Sequence, residues 1–447
     1  MGISTALEAP AAAQPREAAA AGSSPGGLAA RPCADRQSTA CRALSRSPVF
    51  LATLVLVTSL GPLAMSAFVP AIPMIQAEFA VDGAVAQLTL SVSLIAMAFA
   101  SLVYGSLADR YGRRPVLLFG IAVGVLGSVL CAVGPTIGSV IAGRALQATG
   151  ASTGFVLARV IVQDVYGSAR SARVLAYVTA AMTLAPLIGP LAGGYLIDGV
   201  GWRAVLVATA LAAAALLVLV ALRLPETAPR LGVSRRATPA RDIAELLRNA
   251  SYLKFMAFGT MSMAAFYSFA AGAPYVMSEV LGYPATVYGY YFAMVPCGYF
   301  VGSMLAGRLS GRSSHETLTL TGALAGVAAC TLGWLWTAGA ESQPLALFVP
   351  AALLSVASGL ALPGAQAGML AAAGPHAGAG SGLFSFLQLM ASAVTAQLVG
   401  FFQALGPTGV LSVMAGASVL ALAGYGLCAA AEPAAKKGSG PVSEYGT

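Results

Sequence analysis

The sequence predicts an all-α membrane protein of twelve transmembrane helices in two six-helix halves, with both termini cytoplasmic. Three observations lead there. Of 447 residues, 58% are apolar and only 9% are charged, and the mean hydropathy is +0.81; a water-soluble domain of this length is excluded. Apolar runs of about 20 residues, the length that crosses a bilayer, recur along the chain. A polar, Arg-bearing break near the middle divides these runs into two equal sets.

In order, the first set covers 50–73, 85–107, 115–133, 137–161, 174–197 and 203–223. The second covers 252–276, 286–306, 317–338, 345–371, 380–403 and 408–429. Runs this long read as helices, because barrel strands are half the length and alternate in polarity. Basic residues concentrate on the cytoplasmic side of a membrane. With the N-terminus inside, all 24 Lys and Arg except Arg203 and Arg144 fall in cytoplasmic segments or at cytoplasmic helix ends. The net charge of +8 is thereby explained by topology, and no nucleic-acid partner is expected.

Between these runs the chain is punctuated. Residues 1–48 are rich in Ala, Pro, Gly and Ser without a signal-peptide core, and read as a disordered cytoplasmic tail; a misassigned start is the other reading. Residues 49–223 form the first half, 224–250 a cytoplasmic linker, 251–430 the second half and 431–447 a further tail. The linker is expected to be a solvated connection, with a short amphipathic helix over 239–248 on the inner surface as the alternative. Six Cys, at 33, 41, 131, 297, 330 and 428, show no metal-binding spacing and read as inert small residues. His315 and His376 fall in cytoplasmic loops and make no pair inside the membrane.

The most specific motif is the loop after the second run, Gly105-Ser-Leu-Ala-Asp109-Arg110-Tyr-Gly112-Arg113-Arg114. Gly105 is expected to permit close helix approach, Gly112 to make the turn, and the four charges to lie at the inner interface. This pattern resembles the signature loop of the major facilitator superfamily. Arg144-Ala-Leu-Gln147-Ala-Thr-Gly150 in the fourth run resembles that family's intramembrane arginine motif. Gly189-Pro190-Leu-Ala-Gly193-Gly194, preceded by Pro186, resembles the motif of drug:proton antiporters, and Leu224-Pro225-Glu226-Thr227 is typical of the superfamily. Over about residues 50–430 the chain looks most like the twelve-span Bcr/CflA group, which includes phenicol and multidrug exporters.

Each motif also has a physical reading. Arg144 is placed well inside the bilayer, where an ionised group is expensive unless it faces a wet cavity or a partner, so it is expected in the transport cavity with Gln147 on the same face. Pro186, Gly189, Pro190, Gly193 and Gly194 should bend their helix and pack it tightly, as a gate does. The resemblance implies a charged latch of Asp109, Arg113 and Asp164 that stabilises the outward-facing state, with Asp109 set near the N-terminus of the eleventh run around Gly380. The second-half counterpart, Gly302 to Arg312, lacks the acidic residue.

One departure bears on mechanism. Where many of these exporters carry an acidic residue in the first run, this chain has Ser66, and none of its 16 Asp and Glu lies deep in a run. A cation in a low-dielectric cavity needs an acidic partner, so neutral, zwitterionic or anionic amphiphiles are the expected cargo. The expected lining is Ser66, Phe266, Tyr267, Phe269, Tyr290, Tyr291, Phe384 and Gln388. The expected function is efflux of a small amphiphilic drug by alternating access, without a cofactor and driven by the proton gradient. A monomer in the lipid bilayer should suffice. Transport of a specific metabolite is the rival reading. A membrane enzyme or sensor is remote, because no nucleophile, acid pair or metal site appears in the runs.

Overall fold

The computed structural model describes residues 48–227, 239–339 and 343–431. The two tails, Cys33, Cys41, the linker residues 228–238 and Glu341 lie outside the described residues. The described chain is all helical. In the first half these are α1 Pro48–Phe68, α2 Ile72–Glu78, α3 Gly83–Tyr111, α4 Arg113–Val133, α5 Ile137–Val200 and α6 Trp202–Arg223. A short helix α7, Pro239–Leu246, precedes the second half. There follow α8 Ala250–Tyr275, α9 Ala285–Phe292, α10 Met294–Leu309, α11 His315–Gly339, α12 Pro344–Ala373, α13 Ala377–Phe401 and α14 Gly406–Ala430.

Every apolar run of the sequence falls on helix, but the divisions differ. Between α1 and α2 the chain tightens to a 3-10 turn over Val69–Ala71, where Pro70 and Pro73 remove amide donors. Helical hydrogen bonding continues through the expected break after 161, so α5 runs 64 residues. No Pro interrupts it before Pro186. Ten helices among the described residues are long and apolar enough to cross a membrane; one of these is a 58-residue run from Pro344 to Phe401. Helix α8 is not among them, since Gly259, Thr260, Ser262 and Ser268 lower its hydropathy while its buried face packs on α12, α13 and α14.

Local chemistry sets the turns. Gly112 has φ +98°, so it ends α3 and starts α4 in a conformation that L side chains rarely adopt. A Cβ there would also lie 2.7 Å from Glu226 Oε2. Thr136 caps α5 in a reciprocal box with Ser139. The connection to the second half is not merely solvated: α7 forms, and Leu246 is buried against the second half beside Tyr252 and Phe384. His376 then faces α7, its Nδ1 3.3 Å from Asp242 and its Nε2 3.2 Å from Glu245.

The arrangement of cores defines the conformation. One apolar cluster joins both halves at the end carrying the 79–82 and 281–284 turns, linking Phe68, Leu90 and Trp202 to Phe269, Tyr288 and Met414. At the opposite end each half keeps its own cluster, around Phe50, Val116 and Leu157 in the first and around Tyr252, Phe255 and Tyr425 in the second. The halves meet where α13 lies along α3 and α9 along α5. They are therefore closed upon one another at one end and separate at the other.

Candidate functional site

An open cavity lies between the halves and has Arg144, Ser66, Phe266, Tyr267, Tyr288 and Phe292 in its wall. Arg144 stands on α5 and is only 2% exposed. Its guanidinium is fixed on three sides. Nε donates to the Thr89 carbonyl at 3.4 Å, Nη1 donates to Gln147 Oε1, and the group lies 4.0 Å over the Phe68 ring. Gln147 in turn donates to Ser128 at 2.7 Å and Thr209 at 3.3 Å, tying α5 to α4 and α6. Gly150, the last residue of the Arg144 motif, packs into α4, where its Cβ would collide with the Gly124 backbone.

Ser66 lines the same cavity from α1. Its hydroxyl donates to Pro62 at 2.8 Å and across to the Ala185 carbonyl at 3.2 Å. Of the other expected lining residues, Phe266 and Tyr267 are in the wall and Phe384 and Gln388 are not. Phe384 is buried against Gly259, and Gln388 donates to the Gly259 carbonyl at 3.4 Å, so both fasten α13 to α8. Tyr290 points outward to meet the Tyr195 hydroxyl, and Phe269 and Tyr291 pack on Phe348. Tyr288 and Phe292, one helical turn apart on α9, occupy the wall instead.

The Gly-Pro segment of α5 makes the closed end. Cβ atoms on Gly189 and Gly193 would collide with Ser66 Oγ and the Ala67 carbonyl of α1, so these glycines bring α5 hard against α1. Gly194 does the same across the halves, where a Cβ would lie 2.6 Å from the Ala285 carbonyl. Pro186 and Pro190 line the cavity beside them. Further bonds cross at this end: Gln87 donates to the Ala271 carbonyl at 2.8 Å, Ser91 to Gln397 at 2.7 Å, and Gln397 to the Ala84 carbonyl at 2.8 Å.

Asp198 supplies the charged member of this seam, a role the sequence reading missed. Its carboxylate accepts from the Ala285 and Thr286 amides at 3.1 and 2.8 Å and from the Thr286 hydroxyl. A first-half carboxylate thus caps the N-terminus of a second-half helix. Asp198→Ala is expected to cost about 1 kcal/mol of this closure, roughly a fivefold shift toward the open seam. A cysteine placed at Leu191, beneath the contact, should then react faster with a membrane-impermeant maleimide.

At the separated end, Arg113 donates to Asp109 and, at 3.3 Å, to Asp164. The three expected latch residues are thus together, but within one half. The Asp109 side chain is 71% exposed, and Gly380 is engaged by Tyr252, whose hydroxyl donates to its carbonyl at 2.7 Å. Gly105 is not a contact point, as a Cβ there would meet nothing within 4 Å. Glu226 does more than sequence suggested: it accepts from the Arg113 and Arg114 amides at 2.8 and 3.2 Å and caps α4. Arg114 Nη2 donates to the Ala221 carbonyl at 2.7 Å, and Arg110 lies 5.3 Å from the Tyr111 ring.

A family model described as Major Facilitator Superfamily matches residues 54–396. The chain belongs to the major facilitator superfamily. It is 27% identical over 346 residues to an uncharacterized MFS-type transporter, YdgK, of Bacillus subtilis (strain 168), covering 76% of this chain and 86% of that one. It is also 27% identical over 354 residues to multidrug resistance protein D of Escherichia coli (strain K12), covering 79% of this chain and 89% of that one. A bacterial homologue of the human lysosomal transporter Spinster, solved inward-facing and unoccupied, shares the fold with a TM-score of 0.69 at 16% identity, over 85% of this chain and 96% of that one. These relationships fit a Bcr/CflA-like member of the drug:proton antiporter group and a multi-pass membrane transporter rather than an enzyme.

Proposed function

We propose that this superfamily member exports a small amphiphilic drug or antibiotic across the bacterial cytoplasmic membrane by alternating access, coupled to proton entry. The observation that carries this reading is the cavity between halves that share a core at one end and keep separate cores at the other. Rocking about such a cavity exposes it to each side in turn. On this reading both termini are cytoplasmic, the closed end is external, and the conformation is inward-facing. Helix α8 supplies an eleventh crossing, and the 58-residue run supplies two rather than one, giving twelve.

No carboxylate lines the cavity among the described residues. Proton coupling is therefore assigned to the Arg113-bridged pair Asp109 and Asp164, or to competition for Arg144. A single chain works as a monomer in the bilayer. The test is a susceptibility panel in an efflux-deficient host expressing wild type, Arg144→Ala or Asp109→Asn at matched membrane levels. Wild type should raise the inhibitory concentration of at least one neutral, zwitterionic or anionic drug, and both variants should lose that protection. Protection by neither wild type nor variants would overturn drug export and favour a dedicated metabolite carrier.

A further inference from the structure

Two buried polar atoms in the cavity wall stand without hydrogen-bond partners among the described residues: Arg144 Nη2 and the Tyr288 hydroxyl. They come from opposite halves, Arg144 on α5 and Tyr288 on α9, and both line the same cavity. Arg144 and Tyr288 are 2% and 1% exposed, so neither is a surface group whose needs bulk water meets freely. A buried donor left unmatched carries the desolvation cost of that group, and a buried charge carries more. Arg144 has only neutral acceptors, the Thr89 carbonyl and Gln147 Oε1, and no carboxylate lines the wall among the described residues. The cavity wall thus carries an uncompensated cation from one half and an unpartnered hydroxyl from the other.

We infer that the preferred cargo is an anionic amphiphile, a ring-bearing apolar body with one carboxylate, whose oxygens are received by Arg144 Nη2 and the Tyr288 hydroxyl. This rests on the export reading above and narrows it. A carboxylate supplies the charge Arg144 lacks and acceptors for both orphan groups, and the fork of a guanidinium suits it better than a point cation would. The apolar body meets Met65, Phe266, Tyr267 and Phe292 in the same wall. Phe266 and Tyr267 stand edge to face at 5.4 Å and Phe266 and Phe292 at 6.4 Å, which leaves ring faces for a flat ligand. Because the two acceptor-seeking groups belong to different halves, the carboxylate also bridges them.

The experiment uses purified full-length protein in lipid nanodiscs and three probes of one shape: 2-naphthoate, 2-naphthamide and 2-naphthylmethylammonium. Calorimetry should rank them in that order, with naphthoate at least about tenfold tighter than the amide. Arg144→Gln should erase the acid's advantage while amide binding stays within about threefold. Tyr288→Phe should weaken acid and amide alike and keep their order. Equal or tighter binding of the ammonium probe to wild type, no saturable binding of any probe, or an acid preference that survives Arg144→Gln would each overturn the inference. The wild-type ranking stands as a test even if a variant fails to fold. Drug protection in cells without an acid preference would remove the ligand class alone, whereas an intact ranking without export would remove the direction of transport and leave the site.

Discussion

Arg144→Met is expected to abolish export while leaving the purified protein as heat-stable as wild type, or more so. The reason lies in what the guanidinium is given. It is 2% exposed and held by neutral acceptors and the Phe68 ring, so its desolvation is not repaid by an opposite charge. Methionine fills similar space and keeps a favourable contact with the ring. The loss is two hydrogen bonds, to Gln147 and to the Thr89 carbonyl, about 1 kcal/mol each, set against relief of the unrepaid desolvation, and Gln147 retains Ser128 and Thr209. Cargo that relied on the guanidinium loses about 2–5 kcal/mol, a fall in affinity of roughly 30-fold or more. Thermal unfolding and drug protection at matched expression check the two halves of the expectation. A Tm lowered by several degrees with export retained would make Arg144 a structural residue.

Gly194→Val is expected to prise the outer seam open. A Cβ at 194 would lie 2.6 Å from the Ala285 carbonyl and 2.8 Å from Thr286 Cα, backbone atoms that cannot swing aside as a side chain does. Overpacking of this kind costs about 1–3 kcal/mol. Since the colliding atoms belong to different halves, separation of the halves relieves the strain, and the open-to-closed ratio rises by roughly 5- to 150-fold. Spin labels at 82 and 279, both exposed at this end, should gain a longer-distance population, and export should fall. Unchanged distances with a lowered Tm would mean that the strain is absorbed inside one half.

The motifs legible in sequence were those whose residue types are costly anywhere else. A charge in an apolar run, a glycine with φ +98° between two helices, and glycines spaced for backbone contact announced Arg144, Gly112 and the α5 seam. The cavity wall was less legible because in a membrane the lipid-facing surface is as apolar as the interior. Tyr288, Tyr290, Tyr291 and Phe292 are all aromatic, and only the phase of α9 tells which of them face the cavity. Partners distant in sequence were also hidden. Asp198 reaches the start of α9, Glu226 returns to α4, and Lys254, expected at the inner interface, is 2% exposed and paired with Glu316 at 2.6 Å.

The isolation of Arg144 has an electrical consequence. It is the charged side chain in the cavity wall, and the seam bonds made by Gln87, Ser91 and Gln397 are neutral. When the empty carrier switches access, the guanidinium exchanges contact with one aqueous compartment for contact with the other, which carries up to one elementary charge through the field. That is worth about 2.3 kcal/mol per 100 mV. In the proposed export cycle, an inside-negative potential therefore holds the empty carrier inward-facing, ready to load. If the cargo is the carboxylate proposed above, the loaded switch carries almost no charge, so voltage acts on the return leg and spares the export stroke.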